Sequence, residues 1–419
     1  MWCTILAANR RLPLNGNKKN ALNMKMKYFI GVAAFIFICS TAANAQSDTT
    51  KKLPVYNIGV FAPMYLDSVF TKNDYKYKDA VPKFIMPAVD FVQGALIALD
   101  SMKVGTANVK AFFYDTRSYT QNLSALIKSN KIDSLDLIIG AVKDADYIQL
   151  AEFALQKNIP FISATYPNDG GVTGNPFTVI MNSTLKSHCE AIYSYLLQNH
   201  GTDLIYLCRQ NGTQEDKVSS YFKQLNEQDG KPLLNIQTIN TDSVFTTAAL
   251  QPKLDSNRQC IIIGGSLDEN FAKNLATACY NLYPSYPITL IGMPNWDAFS
   301  SLYKKDAYEN FPIHFTTPYF NNKWDNYSKM LNAAYQKKYK IKPGDMAFKG
   351  FEAVYLFTKL LIQHPHDFMS HLNDKNVKVF CDYNFKPVML VKGTSTPDYF
   401  ENKHLYFIKI LNGAKSKAW

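Results

Sequence analysis

The chain switches repeatedly between two hydrophobic periods, and each switch marks an element. The stretch 135–169 shows a full cycle. Asp136 to Ile139 is a short apolar run closed by Gly140, and Tyr147, Ala151, Ala154 and Leu155 then recur at helical spacing. Pro160 breaks that pattern and Phe161-Ile162-Ser163 resumes an apolar run. The reading is strand, loop, helix, strand: a βαβ unit. Ligands of open α/β sheets bind beyond the carboxyl ends of the strands, so residues 141–146 and 164–168 are expected to face one.

The same alternation extends in both directions. A first strand is expected at 55–61, followed by the loop 62–67 and a Lys- and Tyr-rich insertion at 67–83. Pro87 opens a helix to Met102 with Val92, Ala95, Leu96 and Leu99 on one face. A strand at 109–114 and a helix at 118–129 lead into the βαβ unit. Phe177 to Met181 reads as a strand crossing to a second lobe. A helix at 183–200 follows, capped by Asn182 or Ser183 and ended by Gly201. Strands at 204–208, 234–238, 260–263 and 288–291 then alternate with helices at 218–227 and 271–282. A return strand at 313–316, helices at 324–339 and 346–363, a third crossing near 395–402 and a last strand at 405–411 complete the pattern. The expected fold is α/β, with two doubly wound parallel-sheet lobes joined by a three-strand hinge. The first lobe is expected to comprise 53–177 and 313–395, the second 178–312 and 396–419.

Composition changes this picture at the start of the chain. Met24 to Lys27 is basic, Tyr28 to Cys39 is an apolar core of signal-peptide length, and Ala43-Asn44-Ala45 is a small-residue cleavage site. Residues 1–45 are therefore set aside as a leader, with its signal peptide at 24–45, and a periplasmic location is expected. Ile38 stands where a lipobox wants a small residue before Cys39, which disfavours a lipid anchor. The leader holds six basic residues and no acid, so 39 basic and 34 acidic residues remain, a net charge of +5 rather than +11. An excess this small, scattered along the chain, indicates no nucleic-acid face. Five cysteines remain. Cys208 and Cys260 lie in apolar strand runs as buried hydrophobes, while Cys189 and Cys279 lie on helix faces where pairing is open, and the odd count leaves at least one thiol free.

The βαβ unit resembles one in the type I periplasmic solute-binding proteins, the receptors of branched-chain amino-acid ABC transporters. The shared frame is a strand ending in Gly140, a helix, and Ile159-Pro160-Phe161-Ile162-Ser163. Phe348 to Val354 resembles the family's small-residue helix, Ile261 to Glu269 its second-lobe strand and loop, and Asp115-Thr116-Arg117 its polar pair after the second strand. The resemblance implies a ligand held between the lobes, its carboxylate by first-lobe hydroxyls and backbone N–H groups and its ammonium by a second-lobe acid. Glu269 matches that acid, and equally suits the first turn of a helix. Where relatives carry Ser, this chain has Lys143-Asp144-Ala145-Asp146; ionised Asp accepts hydrogen bonds and cannot donate them. Ser163, Thr165 and Tyr166 remain as donors. The family's Tyr-Gly pair is replaced by Gly212-Thr213-Gln214-Glu215. These departures favour a ligand with donors or positive charge, unless the acids belong to a solvated loop. Tyr65, Trp296 and Tyr319 follow strand ends as candidate ligand-covering aromatics, or as packing residues.

No HExxH, GxSxG, P-loop or CxxC framework occurs, so no enzyme, cofactor or metal is expected. His364, His366 and His371 form the one histidine cluster, read as a polar surface loop. The expectation is an exported, monomeric receptor for a small polar, amino-acid-like solute, with a membrane permease as partner. The rival is an envelope scaffold or regulator of the same fold that binds a protein.

Overall fold

The structure is a computed structural model that describes residues 53–418 except 72–73, 78–80, 103–104, 242–243 and 392. The leader expected at 1–45 lies outside the described residues. Fourteen strands build the two main sheets. In chain order they are Val55–Ala62 (β1), Asn108–Asp115 (β2), Leu137–Gly140 (β3), Phe161–Ser163 (β4), Thr178–Ile180 (β5), Leu204–Gln210 (β6), Ile236–Thr241 (β7), Cys260–Gly264 (β8), Ile288–Gly292 (β9), Ile313–Thr317 (β10), Phe385–Val388 (β11), Tyr399–Asn402 (β12), Tyr406–Leu411 (β13) and Ala414–Lys417 (β14). The longer helices are Met86–Ser101 (α1), Leu123–Lys128 (α2), Asp144–Lys157 (α3), Leu185–Asn199 (α4), Thr213–Asn226 (α5), Glu269–Leu282 (α6), Asn326–Tyr339 (α7) and Asp345–Gln363 (α8).

Each sheet has seven strands, ordered β11-β12-β5-β4-β3-β1-β2 and β7-β6-β8-β9-β10-β13-β14. Pairing is parallel except at β11/β12, β10/β13 and β13/β14. This is the expected bilobed α/β fold. The first sheet is apolar on both faces, as a covered parallel sheet requires. Ile58, Val60, Leu137, Ile139 and Ile162 pack under α1 and α8, while the alternate positions Phe61, Ile138 and Phe161 pack under α2 and α3.

Two distant chain segments are joined where α1 crosses α8. A Cβ on Gly94 would stand 1.9 Å from the Ala347 carbonyl oxygen, and one on Gly350 would stand 2.0 Å from that of Phe91. The bare glycines let the two backbones touch.

The sheets divide the chain later than the sequence boundaries. Residues 178–180 and 399–402 belong to the first sheet and 313–317 to the second, so each crossing begins only after a strand is complete. The reason is hydrogen bonding: an apolar extended run must pair its N–H and C=O groups before the chain can leave. Helix α4 is capped by Thr184, which accepts from Ser187 N at 3.5 Å. Ser183, one of the two expected caps, instead donates to the Asn402 carbonyl at 2.6 Å. The five described cysteines are buried free thiols, so Cys189 and Cys279 do not pair. No helix among the described residues is long and apolar enough to cross a membrane.

Candidate ligand-binding cleft

All three crossings leave from the carboxyl ends of strands: β5 into α4, β10 into α7, and β12 into β13. Because the neighbouring strands are parallel to these, the carboxyl ends of both sheets meet at the hinge. The loops beyond them therefore face the space between the lobes, where doubly wound folds bind ligands.

In the first lobe the loop after β1 is fixed by Asp115. Its carboxylate accepts from Met64 N (2.8 Å), Tyr65 N (3.0 Å), Leu66 N (2.7 Å) and Arg117 N (3.0 Å). Tyr65 is held at φ 55 and meets the exposed Phe84 edge to face, with centroids 5.4 Å apart. The acids of 143–146 separate. Asp146 is buried and paired with Arg117 at 3.2 Å; burial raises its carboxyl above the usual range while Arg117 opposes the rise. Asp144 opens α3, stays 63% exposed beside Lys143, and accepts from Tyr166 Oη at 3.2 Å. Most of the negative charge read as ligand-facing is thus answered within the protein. The Thr165 carbonyl accepts from Asn182 Nδ2 at 2.7 Å, which ties this loop to the first crossing. Ser163 is wholly enclosed.

In the second lobe Thr213 lies in the first turn of α5 rather than in a loop. The buried Glu215, two residues on, accepts from Ser266 Oγ at 2.5 Å, and Ser266 Oγ accepts from Asp268 N at 3.1 Å. This joins the ends of β6 and β8. Asp268 caps α6 through Phe271 N at 2.8 Å, and the exposed Glu269 accepts from Ser301 Oγ at 2.8 Å. Trp296 follows the packing alternative. It is 0% exposed, donates to the Ser266 carbonyl at 3.0 Å, and lies where a Cβ on Gly264 or Gly292 would stand. The strand-ending glycines make room for the indole, which plugs the sheet end.

The hinge carries the remaining features. Glu401 is 1% exposed; its carboxylate accepts from Thr184 N and Ser187 Oγ, both at 2.7 Å, and pairs with Lys403 at 2.8 Å. Burial works to raise this carboxyl, but Lys403 and the donors outweigh it and hold it below the usual range. First and third crossings are thereby locked together. At the second crossing Tyr319 Oη donates to the Ala164 carbonyl at 2.5 Å, on the loop after β4. Lys349 Nζ, from α8, lies 4.1 Å over the Tyr319 ring. The acids whose charge acts on it are engaged: Asp345 with Lys323 at 3.1 Å, and Asp297 of the second lobe with Lys415 at 2.7 Å. Enclosure lowers the Lys349 ammonium below the ordinary lysine value. In the sequence the segment around Lys349 stands out only for its small residues, and the pairing of Glu215 with Ser266 gives no signal because it is tertiary.

The sequence matches the family model described as periplasmic binding protein over residues 87–365. Solved structures of similar fold include a Rhodospirillum rubrum protein assigned as a branched-chain amino acid ABC transporter, with TM-score 0.60, 11% identity, and coverage of 87% of this chain and 99% of that one. A branched chain amino acid ABC transporter periplasmic ligand-binding protein from Burkholderia xenovorans aligns with TM-score 0.56, 14% identity, and coverage of 87% and 92%. An ABC transporter substrate-binding protein from Desulfitobacterium hafniense, solved in complex with Leu, aligns with TM-score 0.52, 13% identity, and coverage of 87% and 99%. No curated protein matches the chain. With two facing sheet ends, three crossings and a family match over most of its length, the chain belongs to the periplasmic binding protein family.

Proposed function

We propose that the protein is an exported receptor that captures a small polar, amino-acid-like solute between its lobes and delivers it to a membrane permease. The observation that carries this reading is Lys349: a half-buried ammonium near the second crossing, stacked on Tyr319, with Asp345 and Asp297 already paired to other lysines. Such a cation is poised for a solute carboxylate. Asp144, Glu215 and Glu269 remain as partners for solute donors, and Tyr65, Thr165, Tyr166 and Thr213 complete the candidate rim. Lobe closure would follow from one solute touching both sides.

The experiment is a thermal-shift screen of amino acids, polyamines, sugars and nucleosides, on protein first unfolded and refolded to strip retained ligand. A binder must raise the melting temperature. For the best hit, Lys349→Met is expected to weaken binding roughly tenfold to a hundredfold, the cost of one charge-assisted contact, without lowering the ligand-free melting temperature. Unchanged affinity in Lys349→Met removes the assigned role.

One observation favours the second reading, an envelope scaffold that binds a protein. Phe84 packs on Tyr65 at the edge of the candidate site, and Phe70, Tyr75 and Tyr77 form an aromatic row on the same insertion, all four 40–52% exposed. Asp67 fastens this aromatic edge to the loop after β2 through Ser118 Oγ (2.9 Å) and Tyr119 N (2.8 Å). A screen with no shift from any compound supports that reading.

A further inference from the structure

At the opposite end of the first sheet, two histidines and two aspartates converge. His364 ends α8, and a short turn brings back His371 and Asp374. The imidazoles of His364 and His371 stack with centroids 3.5 Å apart and planes 8° from parallel. Asp374 Oδ2 stands 3.1 Å from His364 Nε2 and 3.2 Å from His371 Nδ1. At the other edge of the stack Asp367 stands 2.8 Å from His371 Nε2 and 3.8 Å from His364 Nδ1. Sequence reading took this stretch for a plain polar loop because the two acids join the rings only in three dimensions.

His371 is bracketed by two carboxylates, Asp367 at Nε2 and Asp374 at Nδ1, and the same Asp374 oxygen faces His364 Nε2. One ligand atom from each of His364, His371 and Asp374 therefore lies within 4.8 Å of the other two. The spacing suits a metal ion: ligand bonds of about 2.0–2.2 Å in tetrahedral geometry place ligand atoms about 3.3 Å apart, and the nitrogen-to-carboxylate distances here are 3.1 and 3.2 Å. The lone pairs of the two rings are parallel in the stack, so binding must open the rings of these half-buried side chains until both point at one ion.

We propose that His364 Nε2, His371 Nδ1 and Asp374 bind one divalent transition-metal ion of the zinc class, with Asp367 accepting the outer N–H of His371. Two imidazoles select such an ion over magnesium or calcium. Asp367 fixes tautomer and orientation, as carboxylates behind metal-bound histidines do. The ion's role is to clip the end of α8 to the turn that follows. Neighbouring Asn373 carries that order onward, exchanging bonds with both the N–H (2.7 Å) and C=O (2.9 Å) of Phe385 in edge strand β11. The site lies a full strand length from the cleft: Pro365 and Phe368 line a depression with Tyr56, Asp136 and Pro160, at the amino ends of β1, β3 and β4.

The test is calorimetric titration of the untagged, chelator-treated protein with zinc chloride, with magnesium and calcium chloride as controls. One equivalent of zinc should bind saturably and raise the melting temperature, and neither control should. His371→Gln and Asp374→Asn should abolish the step, Asp367→Asn should weaken it roughly tenfold to a hundredfold, and His366→Gln should leave it intact. Should His371→Gln fail to fold, cobalt chloride added to the unaltered protein should give the intense visible bands of a tetrahedral site. Absence of a one-equivalent step, a step that survives His371→Gln, or cobalt spectra of an octahedral ion would overturn the assignment.

Discussion

The residue-scale signature of this protein is a set of buried polar groups that hold only in one protonation state. His188 is 1% exposed and its Nδ1 sits 2.7 Å from Thr316 Oγ1, joining α4 to β10. His314, on β10, has its Nδ1 3.1 Å from the Leu290 carbonyl. Burial drives both imidazoles down to about 4. At pH 7 both are neutral in the folded chain and mostly neutral in the unfolded one. Between about 6.5 and 4 the unfolded chain binds a proton at each ring that the folded chain refuses, so stability falls with pH across that window, by roughly 3 kcal/mol per ring at most. Glu401 adds to the loss further down, since its carboxyl is held below the usual range and its pairing vanishes on protonation. Melting temperature measured from pH 7 to 4.5 should decline steadily, and His188→Gln should flatten the decline. An unchanged slope in that variant would mean that His188 is not the group refusing the proton.

At the scale of elements, the α1/α8 crossing decides whether the first lobe is one body. Two effects compete in Gly350→Ala. Helix propensity favours Ala over Gly by about 1 kcal/mol, whereas the new methyl would stand 2.0 Å from the Phe91 carbonyl oxygen. Overpacking costs about 1–3 kcal/mol or more, and backbone offers no rotamer of escape, so the steric term wins. A net destabilisation of about 2 kcal/mol is expected in urea unfolding, and a stabilised variant would refute the close crossing. Gly350 was legible in the sequence only as part of a small-residue pattern; its partner across the crossing was not. The same contrast runs through the fold. Helices α1, α3 and α6 were readable from one-sided apolar spacing, and the buried strands from their apolar runs. Strand β11, with Pro387 in it, and the exposed β14 carry no such signal, although Asn412-Gly413, with φ 50 and 76, is an Asn-Gly hairpin turn that announces β14. At the site, backbone position was readable because strand ends were. What each side chain does was not: Asp146 is consumed by Arg117, and Trp296 by the space above two glycines.

For the whole molecule, topology separates two events that would otherwise be confused. The cleft lies at the carboxyl ends of the first sheet and the histidine cluster at its amino ends, so solute and metal should act on different motions. A solute that touches Lys349 and the second lobe draws the lobes together about the three crossings. A metal held by His364, His371 and Asp374 tightens one loop within a single lobe. Small-angle scattering distinguishes them. A compact chain of the ~370 residues that follow the expected leader has a radius of gyration of about 21 Å, and an open two-lobed form must exceed it. Saturating solute should bring the measured radius down toward that value, while zinc should raise the melting temperature and leave the radius and the solute affinity unchanged. A radius that responds to zinc would couple the loop to the hinge. A radius indifferent to a bound solute would mean that binding does not close the lobes, and the surface offered to the proposed permease would then have to be the same with and without cargo.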